Sequence, residues 1–117
     1  MHDYRKLRVY QLSIDMIGEI ADATSAYPSS QRFGLIPQMN RATSSISANI
    51  AEGAGRGDVK DFARFLRIAR GSACELEAHL TASAKLGLLT PSDADAMRDR
   101  VERIKAGLTR LEASLKA

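Results

Sequence analysis

The chain of 117 residues is poor in the residues that crosslink small folds or build β-rich ones. It has one cysteine, no tryptophan, three tyrosines and three phenylalanines. A single cysteine excludes an internal disulfide framework, and so few aromatic residues argue against a β-rich fold. Three prolines and eight glycines are too few for many tight turns. A hydrophobic content of 44% argues against intrinsic disorder. The counts favour a single all-helical domain over residues 1–117.

Two kinds of targeting segment are missing as well. No apolar run approaches the roughly 20 residues that a membrane-spanning helix needs. The start of the sequence, Met1-His2-Asp3-Tyr4, has no apolar core of a signal peptide. Together with the cysteine count, this predicts a cytoplasmic protein without a membrane partner.

Hydrophobic periodicity predicts four helices, with approximate ranges Leu7–Ala26, Gly34–Gly53, Asp58–Leu86 and Thr90–Leu115. Asp58 and Thr90 are residue types that cap helix N-termini, and Gly87 suits the left-handed position after a helix. Short connections between long amphipathic helices favour antiparallel neighbours. The predicted fold is therefore an all-α, antiparallel up-down-up-down four-helix bundle.

Two apolar stripes make specific predictions about packing. A 3-4 spacing predicts that the first helix buries Leu7, Tyr10, Ile14, Ile17 and Ala21. The fourth helix carries a heptad-like seam formed by Ala94, Met97, Val101, Ile104, Leu108, Leu111 and Leu115. This seam has three candidate roles, namely the core, a subunit interface or both.

Enzyme motifs are incomplete in this sequence. The histidines are His2 and His79, and Leu76 stands three residues before His79, so the Glu-x-x-His pairs of di-metal bundles are missing. Cys74 and His79 do not face each other on one helix, so we expect a buried thiol and a boundary histidine. The run Gly53-x-Gly55-x-Gly57 lacks the ending of a phosphate loop and predicts a helix break. We expect no enzyme activity, catalytic residue, metal or cofactor.

Basic residues carry a more informative signal. The formal net charge is +3, and Lys60, Arg64 and Arg67 have the spacing that places them on one face of the third helix. A second cluster stands near the N-terminus. As candidate phosphate contacts we take Arg41, Arg56, Lys60, Arg64, Arg67, Arg5, Lys6 and Arg8. The competing interpretation is an ordinary solvated, charged helix face.

An ordered run of motifs resembles a known family. The motifs are Leu7-x-Val9-Tyr10-Gln11, Phe33-Gly34-Leu35-x-x-Gln38-Met39-x-Arg41-Ala42, Ser45-Ile46-x-x-Asn49-Ile50-Ala51-Glu52-Gly53, Gly55-Arg56, Lys60-x-Phe62-x-x-Phe65-Leu66-x-Ile68-Ala69-x-Gly71-Ser72, Glu75-Leu76-Glu77 and Leu86-Gly87. From about Leu7 to Leu89, the chain resembles the S23 family of four-helix bundles, encoded by intervening sequences in bacterial large-subunit ribosomal RNA genes.

The resemblance implies an antiparallel four-helix bundle that assembles as a ring, typically a homopentamer with a central opening. The accessory protein of diversity-generating retroelements is similar in fold and binds nucleic acid and a reverse transcriptase through basic surface. The family supplies no catalytic residues. Asn49, Glu52, Gly53 and Arg56 carry over as family-defining positions without an assigned role.

Two functions therefore stand as hypotheses. The first is a non-enzymatic, ring-forming bundle that binds RNA or DNA through a basic surface without strong sequence specificity. The second is a protein-interaction or scaffold module, for example a partner of a reverse transcriptase or another nucleic-acid enzyme.

Overall fold

Four α-helices account for most of the chain in the computed structural model, which describes residues 3–115. They are α1 (Arg8–Ser25), α2 (Leu35–Gly55), α3 (Val59–Lys85) and α4 (Pro91–Ser114). Short 3-10 turns at Tyr4–Lys6 and Ser29–Gln31 precede α1 and α2. Within residues 3–115 there is no strand, and no helix there is both long and apolar enough to span a membrane.

Contacts between helices show that neighbours run antiparallel. Between α2 and α3, Ser83 near the end of α3 hydrogen-bonds to Met39 near the start of α2 at 3.5 Å. Between α3 and α4, Arg67 reaches Glu112 at 2.8 Å, whereas Arg98, near the start of α4, contacts Thr81 at 3.3 Å. Contacts of α1 with α2 and α4 follow the same order. The predicted all-α bundle is confirmed, with extents of 45 × 24 × 20 Å.

The predicted helix signals act as expected at three ends. The Asp58 side chain accepts from the Lys60 N–H at 3.4 Å, and the Thr90 hydroxyl accepts from the Asp93 N–H at 3.0 Å. Gly87 has φ of +74°, a conformation that glycine adopts without a steric penalty. The Leu88 N–H then donates to the Ser83 carbonyl at 2.9 Å, which closes a Schellman motif at the end of α3.

The α4 seam serves the core of the single bundle. Its members Ala94, Val101, Ile104 and Leu108 are buried, and the other three are half-buried against the same cluster. Most of the remaining buried apolar side chains come from the three other helices, among them Met16, Ile20, Met39, Ile46, Ile50, Phe62, Leu66, Leu76 and Leu80.

The predicted stripe of α1 is wrong. The helix instead buries Val9, Ser13, Met16, Ile20 and Thr24, while Ile14 and Ala21 are exposed and the other predicted members are half-buried. The buried stripe includes two hydroxyl side chains, which a search for apolar periodicity does not count. Each of them can be buried because it forms a hydrogen bond within the helix. The Ser13 hydroxyl donates to the Tyr10 carbonyl at 2.6 Å, and the Thr24 hydroxyl to the Ile20 carbonyl at 2.8 Å. A short hydroxyl side chain can be buried once it has such a partner.

Helix α2 continues two residues beyond its approximate predicted end at Gly53, to Gly55, and the predicted break follows at Arg56 and Gly57. Gly53 is buried against α3, and a Cβ atom built there would lie 2.7 Å from the Phe65 Cβ and 3.1 Å from the Phe62 Cδ1. The glycine therefore allows close approach of two helices. The chain leaves the helix only near Gly57, whose φ is +74°.

Candidate nucleic-acid interface

The turn from α2 to α3 brings together three of the candidate basic residues. Arg56 follows the last residue of α2, and Lys60 and Arg64 lie on the first two turns of α3. The Asp58 cap and the left-handed Gly57 fix the path of the chain between the helices. All three basic side chains are exposed. A short, well-capped connection therefore presents three cations at one end of the bundle.

Two of these guanidinium groups are held on the ring of Phe65. The Cζ atoms of Arg56 and Arg64 lie 5.1 Å and 4.6 Å from the ring centroid, within the range of cation–π contacts. Phe65 itself is buried between α2 and α3. The aromatic ring thus orients both guanidinium groups without enclosing them, since the side chains are 47% and 52% exposed.

Each of these arginines also has a nearby carboxylate. Arg56 pairs with Glu52 at 3.1 Å, and Arg64 approaches Asp61 at 3.9 Å. Exposed pairs of this kind contribute only about 0–1 kcal/mol. A phosphate that approaches the surface can therefore replace either carboxylate at small cost.

Arg67 does not continue this surface as the sequence spacing suggests. It turns towards α4, where Glu112 accepts its hydrogen bond at 2.8 Å and also lies 3.7 Å from Arg70. Glu112 is only 14% exposed, against 55% for Glu52 and 39% for Asp61, so its carboxylate is better shielded from solvent than those of the two pairs described above. Arg70 additionally donates to the Thr109 hydroxyl at 3.1 Å. Sequence reasoning had no signal for this contact, because its partners are 45 residues apart.

The N-terminal basic cluster lies at the same end of the bundle. Arg5 pairs with Asp3 at 3.0 Å, and the hydrogen bond from Arg5 lowers the pKa of the Asp3 carboxyl. The same contact raises the pKa of Arg5. Lys6 and Arg8 are exposed and form no ion pair with any residue from 3 to 115.

Two arginines of α4 extend this cluster and were missed in the sequence analysis. Arg103 and Arg110 line a groove of about 190 Å³ together with Arg8, over a floor of Leu7, Val9, Leu12, Gly107 and Leu111. Their spacing of seven residues places both on one helix face, so the periodicity of the charged residues held a usable signal. The groove therefore adds two arginines, Arg103 and Arg110, beside Arg8 on the α1–α4 side.

Charge is distributed unevenly along the bundle axis. The half built from residues 3–16, 46–72 and 103–115, here called the basic end, holds eleven Lys and Arg but six Asp and Glu. The half built from residues 17–45 and 73–102, the acidic end, holds five Lys and Arg but eight Asp and Glu. Seven of the eight candidate residues lie at the basic end. Arg41, on the first half of α2, lies at the acidic end and does not join them.

The family-defining polar residues have structural contacts. Asn49 donates to the Ser45 carbonyl at 2.7 Å and to its hydroxyl at 3.0 Å. The Ser45 hydroxyl in turn meets the Ser72 hydroxyl of α3 at 2.9 Å. Asn49 therefore belongs to a polar link between α2 and α3, whereas Glu52 pairs with Arg56 and Gly53 permits the helix contact described above.

The candidate metal and thiol residues are separated from one another. Cys74 is exposed, so the expected buried thiol is wrong, because this position lies on the outer face of α3. His79 is half-buried beside Glu75 at 3.3 Å. Among residues 3–115, no three His, Cys, Asp or Glu side chains are grouped as a metal site would require. His2 lies outside the described residues.

Comparisons with known proteins bear on the family. A family model described as 23S rRNA-intervening sequence protein matches residues 5–110, and so includes most of α4, which the sequence motifs did not reach. A crystal structure of a protein of unknown function from the S23 ribosomal protein family of Bacteroides thetaiotaomicron has a similar fold. Its TM-score is 0.82 at 24% sequence identity, covering 89% of this chain and 97% of that chain. A search of curated proteins gave no match. The chain belongs to the 23S rRNA-intervening sequence protein family.

Proposed function

We propose that this protein is a non-enzymatic helical bundle that binds RNA or DNA through its basic end, largely independently of base sequence. The observation that carries the proposal is the excess of eleven basic over six acidic residues at that end. Phosphate contacts of this kind release condensed counterions and supply affinity without reading base edges. The acidic end would be repelled by the same polyanion and so would set the orientation of the complex.

Individual contacts at the basic end support this mechanism. Lys6, Arg8 and Lys60 have no ion-pair partner among residues 3–115, so their charges are available to phosphates. Arg56 and Arg64 are oriented by Phe65 but remain about half exposed. We assign Arg67 a weaker role, because Glu112 already neutralises it.

The proposal includes assembly into a ring, typically of five subunits, as the family resemblance implies. In a cyclic ring with its axis along the bundles, every basic end lies on the same side. Contacts that are weak in one subunit then add up by avidity along one nucleic-acid strand.

Binding measurements with unrelated sequences test the proposal. We expect fluorescence anisotropy with two 20-nucleotide RNAs and two DNAs of unrelated sequence to give affinities within a few-fold of one another. Absence of binding at physiological salt would contradict the proposal. Capture of a protein partner from nuclease-treated extract, together with absent binding, would instead support the interaction-module alternative.

Neutralising Glu112 is expected to strengthen nucleic-acid binding. The change Glu112→Gln releases Arg67 and Arg70 from α4, and each phosphate that one of these arginines then binds raises the affinity about fivefold near 0.15 M salt. Anisotropy titrations of the variant and the wild type measure this. Glu75→Gln is the matched control, since it removes the same charge from the acidic end and is expected to leave affinity unchanged. Unchanged affinity for Glu112→Gln would contradict the role given to this ion pair.

A further inference from the structure

A largely exposed aromatic side chain lies at the acidic end. Phe33 is 85% exposed in the segment between α1 and α2, and the Arg32 Cζ lies 4.9 Å from its ring centroid. Arg32 forms no ion pair with any residue in the range 3–115. Single exposed apolar side chains are common. The exposure of Phe33 therefore indicates a binding contact only if a complementary surface exists.

A groove with matching chemistry lies at the same end. It has a volume of about 470 Å³ and is formed by the end of α1, the turn between α3 and α4, and the start of α4. Its apolar lining consists of Ala23, Ala26, Leu88, Leu89 and Met97. Asp22 and Asp93 stand on its rim and have no Lys or Arg partner among the described residues. The third acid of the groove, Glu19, pairs at 2.8 Å with Arg100, which also lines the groove, so these two charges offset each other.

We propose that Phe33 of one copy of this chain inserts into this groove of a second copy, with Arg32 facing Asp22 and Asp93. The apolar ring matches the alanine, leucine and methionine lining. The unpaired Arg32 guanidinium is complementary to the two unpaired carboxylates. Reversing the sign of the charge on either side would place like charges against each other. An aromatic anchor beside an arginine, seated in an apolar pocket, is the composition typical of interface hot spots.

The positions of the two features fit a closed assembly. Because the aromatic residue and the groove are different surfaces, the contact can repeat head-to-tail from copy to copy, and such a repeat produces a ring when the rotation closes. Both features lie at the acidic end, so a rotation about an axis along the bundles joins them without a shift along that axis. The inference rests on the proposed self-association and not on nucleic-acid binding.

Light scattering after size-exclusion chromatography, over a concentration series without nucleic acid, tests the contact. The change Phe33→Ala removes the phenyl group and is expected to weaken association by about tenfold to a hundredfold per interface. Ile68→Ala is the matched control, because Ile68 is an exposed apolar residue on α3 outside both surfaces, and it is expected to keep the wild-type mass. A monomeric wild type, an unchanged mass for Phe33→Ala or an equal loss for Ile68→Ala would overturn the proposal.

Exchanging the charges of Arg32 and Asp22 distinguishes loss of this contact from loss of folding. Arg32→Glu and Asp22→Arg are each expected to weaken assembly, and the double variant to regain it, because the attractive pair is restored with opposite polarity. A double variant that associates no more strongly than the single variants would contradict the assigned pairing. Nucleic-acid affinity measured in parallel distinguishes failure of this contact from failure of the proposed function.

Discussion

Reversing two charges on α3 is expected to weaken nucleic-acid binding by about a hundredfold or more near 0.05 M salt, since each phosphate left without its cation removes about one decade of affinity there. The variant carries Lys60→Glu and Arg64→Glu, both on the exposed face of α3 at the basic end. The slope of log affinity against log salt is expected to flatten by about 1.8 with duplex DNA, or about 1.4 with a single strand. Filter binding across a salt series measures both quantities.

The matched control changes the same charges at the other end. Arg41→Glu and Lys85→Glu replace one exposed arginine and one exposed lysine at the acidic end, so the net charge of the two variants is equal. We expect this control to bind within a few-fold of the wild type. Equal losses in both variants would show that net charge, rather than the basic end, determines affinity. Circular dichroism of both proteins confirms that the bundle is intact.

The change Gly53→Ala is expected to lower the free energy of unfolding by about 1–3 kcal/mol, as overpacking of a close helix contact does. The added Cβ would lie 2.7 Å from the Phe65 Cβ and 3.4 Å from the Phe62 Cα, so α2 and α3 must separate. Alanine is the better helix former by roughly 1 kcal/mol, so the steric effect must exceed this gain. Urea denaturation followed by circular dichroism in the far ultraviolet measures the difference.

Gly71→Ala is the control, and its expected effect on the free energy of unfolding has the opposite sign. Gly71 lies within α3, and a Cβ built there has nothing within 4 Å, so helix propensity alone acts and stability is expected to rise by about 0.5–1 kcal/mol. If Gly53→Ala also raised stability, the close contact between α2 and α3 would not be what requires a glycine at this position.

The sequence predicted the fold well because its strongest signals are local. Asp58, Thr90 and Gly87 act through hydrogen bonds or dihedral angles within a few residues, and all three behave as expected. The seam of α4 was also recognised, since a run of large apolar residues has few alternative arrangements. The buried stripe of α1 was missed because Ser13 and Thr24 are classed as polar, although each finds a hydrogen bond within its own helix.

The candidate site was less predictable because its geometry depends on contacts between helices. Spacing along α3 correctly grouped Lys60 with Arg64 on the exposed face. It gave no indication that Glu112, from α4, would hold Arg67 and Arg70. The placement of Arg41 at the acidic end follows from the antiparallel topology, which reverses the direction of successive helices. The uneven charge along the axis becomes visible only when the four helices are placed side by side.

The salt dependence of nucleic-acid binding by the wild-type protein tests the central claim most directly. We predict that log affinity falls linearly with log salt, with a slope of about −2.7 or steeper for duplex DNA, as expected when at least three cations of the basic end contact phosphates. Affinity that does not change with salt, or no binding even at low salt, would contradict it.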